Sequence, residues 1–328
     1  GETLFNVFGD AAGKILHTFE SQNLSNMLWA FVKVDAKNPR LFQETGGVIS
    51  GMDLDSFKPQ ALANILWSFS KSSKADPEPF RLLGNHIANM GRLDSFNPQA
   101  LSNTAWAFAK AGEFHPKLFE KIADHVAGLG SLNSFKPQNL SNTAWALTTA
   151  GVSHPELFKK IGSHIAGLMS LDSFNPQNLS NITWAFATAG VSHTKLFEKL
   201  SDAAARKGEF IETQHIANFL WACATVGYTD ERLFSALSPV IASKLDKCSE
   251  QDFANISFCF CSRDWVVGVF GGQHTKLDEC SEQHLANIAW AYSVANTPKQ
   301  DLFNKGYVSA LASNEKVFSG EELAQLHQ

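Results

Sequence analysis

The stretch SFNPQALSNTAWAFAKAGEFHPKLFEKIADHVAGLG, residues 95–130, holds two helix starts and two helix stops, and its reading decides the fold. Asn97 stands at an N-cap position and Pro98 at the first helical position, where a missing backbone N–H leaves nothing unsatisfied. Phe96 and Leu101 flank that cap with the spacing of a hydrophobic staple. The first helix runs to about Ala111, and Gly112 is placed to stop it. His115-Pro116 opens a second helix, in which Leu118, Phe119, Ile122, Val126 and Leu129 recur at helical spacing. Gly128 and Gly130 end it. The same grammar returns in SHPELFKKIGSHIAGLM from Ser153.

This hairpin is one of a series. The pattern Q-x-L-x-N-x-x-W-A reads QNLSNMLWA from Gln22, QALANILWS from Gln60, QALSNTAWA from Gln99 and QNLSNTAWA from Gln138. It continues as QNLSNITWA from Gln177, QHIANFLWA from Gln214, QDFANISFC from Gln251 and QHLANIAWA from Gln283. The Asn falls at 26, 64, 103, 142, 181, 218, 255 and 287, in steps of 38, 39, 39, 39, 37, 37 and 32. A single hairpin cannot cover its own apolar face, whereas stacked neighbours can. The fold class expected is therefore all-α, an α-solenoid of tandem helical-hairpin repeats winding into a superhelix. One array over 1–328 divides into repeats at 18–55, 56–94, 95–133, 134–172, 173–209, 210–246, 247–278 and 279–316. Residues 1–17 read as the second helix of a preceding repeat and 317–328 as the start of a truncated ninth. In that ninth unit Glu321 takes the Gln position and Gln325 the Asn position. These ends suggest an internal segment of a longer protein, with divergent end caps as the alternative. The repeat at 247–278 is irregular: after Cys261 the sequence SRDWVVGVFGGQHTKL leaves room only for a short or bent second helix, a hinge or a decayed repeat.

Composition narrows the function. Of 328 residues 44% are hydrophobic, enough for a continuous core, and the net charge of −5 excludes a strongly basic nucleic-acid binder, so any positive patch is local. The five Cys (Cys223, Cys248, Cys259, Cys261, Cys280) form no CxxC pair and read as small buried thiols. No apolar run reaches the roughly 18 residues of a membrane span, so no membrane insertion is expected.

On a wheel of about 100° per residue, Leu101, Thr104, Ala105 and Phe108 share the core face of the first helix. Gln99, Asn103, Trp106 and Lys110 share nearly the opposite one. Stacking turns this signature into a ladder that includes Gln138, Asn142, Trp145, Gln177, Asn181 and Trp184. Two readings of the ladder are open. In one, the amides bond between repeats and Trp packs between units. In the other, the ladder lines a groove and touches a ligand. Near-identity of the units favours the structural role, because a sequence reader needs contact residues that vary. Two positions do vary. One follows the Gln and holds Asn23, Ala61, Ala100, Asn139, Asn178, His215, Asp252 and His284. The other lies four residues after the Trp and holds Lys33, Lys71, Lys110, Thr149, Thr188, Thr225, Ser262 and Val294. With units about 10 Å apart, Lys33, Lys71 and Lys110 form a row suited to a phosphate backbone. The plain alternative is three solvated lysines favoured by helix C-terminal dipoles.

His86, His125 and His164 recur at one second-helix position, and His115, His154 and His193 at second-helix starts. Repetition one unit apart, with no partner at ligand spacing, points to capping and not to a metal. The sequence holds no Gly-rich phosphate loop, no GxSxG and no HExxH. No enzyme activity, cofactor or metal is expected.

Units of 37–39 residues carrying PQxLSNxxWAFA, with strings such as LSNTAWAFA and AGVSHPELF, resemble the octotricopeptide repeats of algal organelle proteins and the related repeats found beside RAP and FAST-kinase-like domains. The resemblance covers essentially the whole chain. It implies a chloroplast or mitochondrial protein that binds single-stranded RNA and supports transcript stability, processing, translation or ribosome structure. At one base per unit, eight units would span about eight nucleotides. The alternatives are a protein-binding solenoid and a structural subunit of a large organellar assembly, with protein partners in either case.

Overall fold

The computed structural model describes residues 2–72, 77–208, 211–244, 247–249, 251–252 and 255–256. The expectations for the irregular repeat beyond residue 256, the repeat at 279–316, the start of a ninth, and Ser262, His284, Val294, Cys259, Cys261 and Cys280 lie outside these residues. Among the described residues there are thirteen α-helices and no strand: α1 Glu2–Ile15, α2 Ser21–Lys33, α3 Pro39–Ser50, α4 Pro59–Lys71, α5 Pro77–Asn89, α6 Pro98–Ala111, α7 Pro116–Gly128, α8 Pro137–Thr149, α9 Pro155–Gly167, α10 Pro176–Thr188, α11 Thr194–Lys207, α12 Thr213–Thr225 and α13 Glu231–Lys244. The chain is an all-α solenoid of tandem helical hairpins.

It divides into two compact units, Gly1–His164 and Ile165–Gln328. In the first, α2, α4, α6 and α8 pack in succession as one layer, and α1, α3, α5 and α7 as the second. In the second unit α10 packs on α12 and α11 on α13, again as two layers.

Local chemistry sets where each helix begins and ends. Asn97 Oδ1 accepts the Ala100 N–H at 2.8 Å at the start of α6, and Asn175 Oδ1 accepts that of Asn178 at 2.8 Å at the start of α10. The second helices α7, α9 and α11 use histidine instead. The Nδ1 atoms of His115, His154 and His193 accept the N–H groups of Leu118, Leu157 and Leu196 at 3.1–3.2 Å. That geometry requires the proton on Nε2, and in His154 Nε2 donates to Asp124 Oδ1 at 3.0 Å on the preceding second helix. Four first helices, α6, α8, α10 and α12, stop at a glycine with positive φ: Gly112, Gly151, Gly190 and Gly227 have φ of 67–71°. The N–H after each closes back onto a helix carbonyl, as Glu113 does onto Phe108 O at 3.0 Å. In the first hairpin Asp35 holds this position at φ 52°, a conformation that disfavours a Cβ.

Phenylalanine edges join one hairpin to the next. Rings of the second helix meet rings of the following first helix edge-on: Phe5–Phe31 at 5.2 Å, Phe42–Phe69 at 5.4 Å and Phe80–Phe108 at 5.2 Å. Gly84 allows the last approach, since a Cβ there would lie 2.7 Å from the Phe108 ring. Lysines make a second link. Lys160 Nζ donates to Ala127 O at 2.8 Å and also to Leu129 O, at the C-terminal end of α7. Lys121 does the same to Met90 O, and in the second unit Lys199 reaches Ala166 O at 3.3 Å. Each ammonium thus satisfies carbonyls that the preceding second helix leaves open and sits at the negative end of its dipole.

Candidate nucleic-acid interface

Leu101, Thr104, Ala105 and Phe108 are buried, so the opposite side of α6 is its free side. Gln99 and Lys110 lie exposed there, with Asn103 and Trp106 half-buried between them. The same exposure pattern recurs on α4 with Gln60, Asn64, Trp67 and Lys71, and on α8 with Gln138, Asn142, Trp145 and Thr149. On α2 the whole set is exposed, and Trp29 retains 44% of its surface. In the second unit α10 carries exposed Gln177 and Thr188 with half-buried Asn181 and Trp184, and α12 repeats this with Gln214, Asn218, Trp221 and Thr225.

The aromatic and cationic members of the first unit interleave. Lys33 Nζ lies 5.4 Å from the centroid of Trp29 and 5.6 Å from that of Trp67, so one ammonium is shared by two indoles of successive hairpins. Lys71 Nζ lies 4.9 Å from Trp106, also one hairpin on. Trp106 and Trp145 approach to 6.3 Å at a tilt of 34°. Each lysine thereby keeps its charge at the surface while resting on an electron-rich ring face.

The amides behave differently. Gln22 Nε2 donates to Asn26 Oδ1 at 2.8 Å, and Gln251 repeats this with Asn255. Asn255 Nδ2 in turn donates to Asn218 Oδ1 at 3.4 Å, a bond between successive repeats. In the ladder, amides are partly engaged along and between helices, and Trp and Lys reach solvent.

Charge is segregated by layer. None of α2, α4, α6, α8, α10 and α12 contains an Asp or Glu. With Lys33, Lys71 and Lys110 and no carboxylate on these helices, the free face of α2, α4 and α6 is positive although the whole chain carries a net charge of −5.

The position after the Gln does not share this face as a set. Asn139 is only 6% exposed; its Oδ1 accepts the Lys136 N–H at 3.0 Å and its Nδ2 donates to Ser102 Oγ on α6 at 3.1 Å. Asn178 is equally buried, and its Oδ1 accepts the Asn175 N–H at 3.3 Å. Asn23 is exposed but bonds the Glu20 N–H at 3.0 Å. His215 is half-buried, its Nδ1 is shielded, and burial pushes its imidazole below the ordinary value. Asn23, Asn139 and Asn178 bond the backbone at their own helix starts, and Asn139 also joins its hairpin to the preceding one. The physical reason is that the third residue of a helix lies beside its own N-cap and against the neighbouring helix, not on the outward face. For Asn139→Ala we expect a stability loss of about 1–2 kcal/mol in chemical denaturation, from one cap and one buried hydrogen bond. Any ligand affinity should stay within about twofold of wild type, an interval worth well under 1 kcal/mol. A large affinity loss at unchanged stability would return Asn139 to the ligand face.

The lysine clamps at 121, 160 and 199 were not singled out from the sequence, although LFEKI, LFKKI and LFEKL repeat in register. Among the described residues no cluster of three or more His, Cys, Asp or Glu is placed to hold a metal ion. Nor is any described helix long and apolar enough to cross a membrane. The two described cysteines, Cys223 and Cys248, are buried thiols.

No curated protein matches the chain. The model of a family described as RNA-editing substrate-binding complex 6 protein matches residues 96–260, from the hairpin of α6 and α7 through that of α12 and α13. That is half of the 328 residues, over the best-formed copies of the repeat, and the chain belongs to the RNA-editing substrate-binding complex 6 protein family.

Proposed function

We propose that this protein is a non-catalytic scaffold in an organellar RNA-editing assembly, and that it holds single-stranded RNA on the free face of α2, α4, α6 and α8. The observation that carries this reading is the carboxylate-free face on which Lys33 and Lys71 alternate with Trp29, Trp67 and Trp106. Single strands are held by cationic tracks for phosphates and aromatic faces for bases, and this face offers both. The family name supports an RNA-editing setting, and the resemblance to octotricopeptide repeats supports an organelle. Protein partners fit the rest of the surface, where charges of both signs mix.

The test is fluorescence anisotropy with a labelled 15-nucleotide single strand. At 50 mM salt we expect a Kd of about 10 μM or tighter, rising steeply towards 200 mM, because affinity comes chiefly from counterion release. A duplex of equal length should bind more weakly, since paired bases cannot reach the indoles. No binding at 50 mM salt would leave the protein-scaffold reading in its place.

A further inference from the structure

The outward Gln, Asn and Trp are the same in each hairpin, and the position after the Gln is either withdrawn from the face or engaged at its own helix start. Gln, Asn and Trp are identical on α2, α4, α6 and α8. The position that varies next to them is Ala61 at 1% exposure, Ala100 at 3% and Asn139 at 6%. Its exposed member, Asn23, bonds the backbone of its own helix start. The position four after the Trp holds lysine in three hairpins and Thr149 in the fourth, and an ammonium meets the phosphate that all nucleotides share.

Resting on the RNA-binding reading above, we infer that this face is blind to base order: it holds single-stranded RNA of any sequence, in many overlapping registers. The hairpins of α2, α4 and α6 repeat the same Gln, Asn, Trp and Lys at each step. A strand shifted by one unit along them meets the same residue types, so no base order is preferred. Stacking on indole adds affinity without readout, because every base has a π-face. The amide pair fits the same account. Where Gln22 donates to Asn26, the geometry of both amides is set by the helix before any ligand arrives. A single well-made bidentate base contact discriminates by roughly five- to 150-fold. A reading array would multiply that factor over successive hairpins, and this one has nothing to multiply. Selection of a particular transcript then falls to other subunits or to other surfaces.

The second unit follows the same rule on its own helices. Gln177, Asn181 and Trp184 on α10 match Gln214, Asn218 and Trp221 on α12, while Asn178 is buried.

The experiment uses the whole chain and a panel of single-stranded 15-mers that share one base composition and differ only in order. Kd values at 50 mM salt should fall within tenfold of one another across the panel. A spread of tenfold or more, reproducibly favouring one order, overturns the inference while leaving RNA binding intact. Failure to bind any member overturns the RNA reading itself, and the two failures are distinct. A second arm uses Lys71→Gln, an exposed substitution. It should weaken every member by a common factor, and a loss confined to some orders would show that the lysine row reads sequence.

Discussion

Reversal of charge at Lys33, Lys71 and Lys110 together is expected to weaken single-stranded RNA binding by at least about a hundredfold at 50 mM salt. The three side chains supply all the cationic charge of the face formed by α2, α4 and α6, and no carboxylate on those helices is left to be relieved by their loss. Glutamates would both remove three phosphate partners and repel the strand. The neutral triple variant Lys→Gln isolates the first effect. Single strands release about 0.7 counterion per neutralised phosphate, so the slope of log K against log salt should become shallower by about 2. Both variants should keep a wild-type far-UV spectrum, because the lysines are exposed and their contacts are with the outer faces of Trp29, Trp67 and Trp106. Wild-type affinity in the reversed variant would mean that the row is nothing more than three solvated helix ends.

Phe108→Ala should be the most damaging single truncation among the residues discussed, at about 3–5 kcal/mol. The ring is 1% exposed and meets Phe80 at 5.2 Å, Phe119 at 6.4 Å and His115 at 6.0 Å, so it joins α6 to the helices before and after it. Removal leaves a cavity that Gly84, with no side chain, cannot help to fill. In a repeat array each hairpin is stabilised by its neighbours, so a break here should also cost cooperativity, with the first two hairpins unfolding ahead of the rest. Chemical denaturation should show a lower midpoint and a broader or two-step transition. Phe114→Ala, at a side chain 65% exposed, serves as the control and should change stability by less than about 0.5 kcal/mol. Equal effects at the two positions would refute the role given to the Phe80–Phe108 joint.

The family match rests on residues 96–260, whereas the proposed RNA face draws also on α2 and α4, which lie before them. Whole-chain charge misleads here. The value of −5 averages over the whole chain, and the absence of Asp and Glu from α2, α4, α6, α8, α10 and α12 was legible in the repeat alignment.

The sequence by itself determined the repeat, the hairpin and the helix ends. Asn97, Pro98, Gly112 and His115 act on backbone groups within a few residues of themselves, so local chemistry is enough to place them. It also determined the core side of α6, because the 3.6-residue period puts Leu101, Thr104, Ala105 and Phe108 on one side whatever the neighbours are. Only the tertiary structure decided what lies between hairpins. Asn139 and Lys110 are both polar, variable and repeated in register, yet one is buried against Ser102 and the other is exposed. Lys160 and Lys71 are both lysines on helices, yet one holds the carbonyl end of α7 and the other rests on Trp106. A helical period assigns a residue to a side of its own helix, but the distance to the next hairpin and the angle of its approach determine whether that side is a joint or a surface. The hairpin at 95–130 thus announced the solenoid, and the packing of one hairpin on the next chose which of its polar residues stay at the surface.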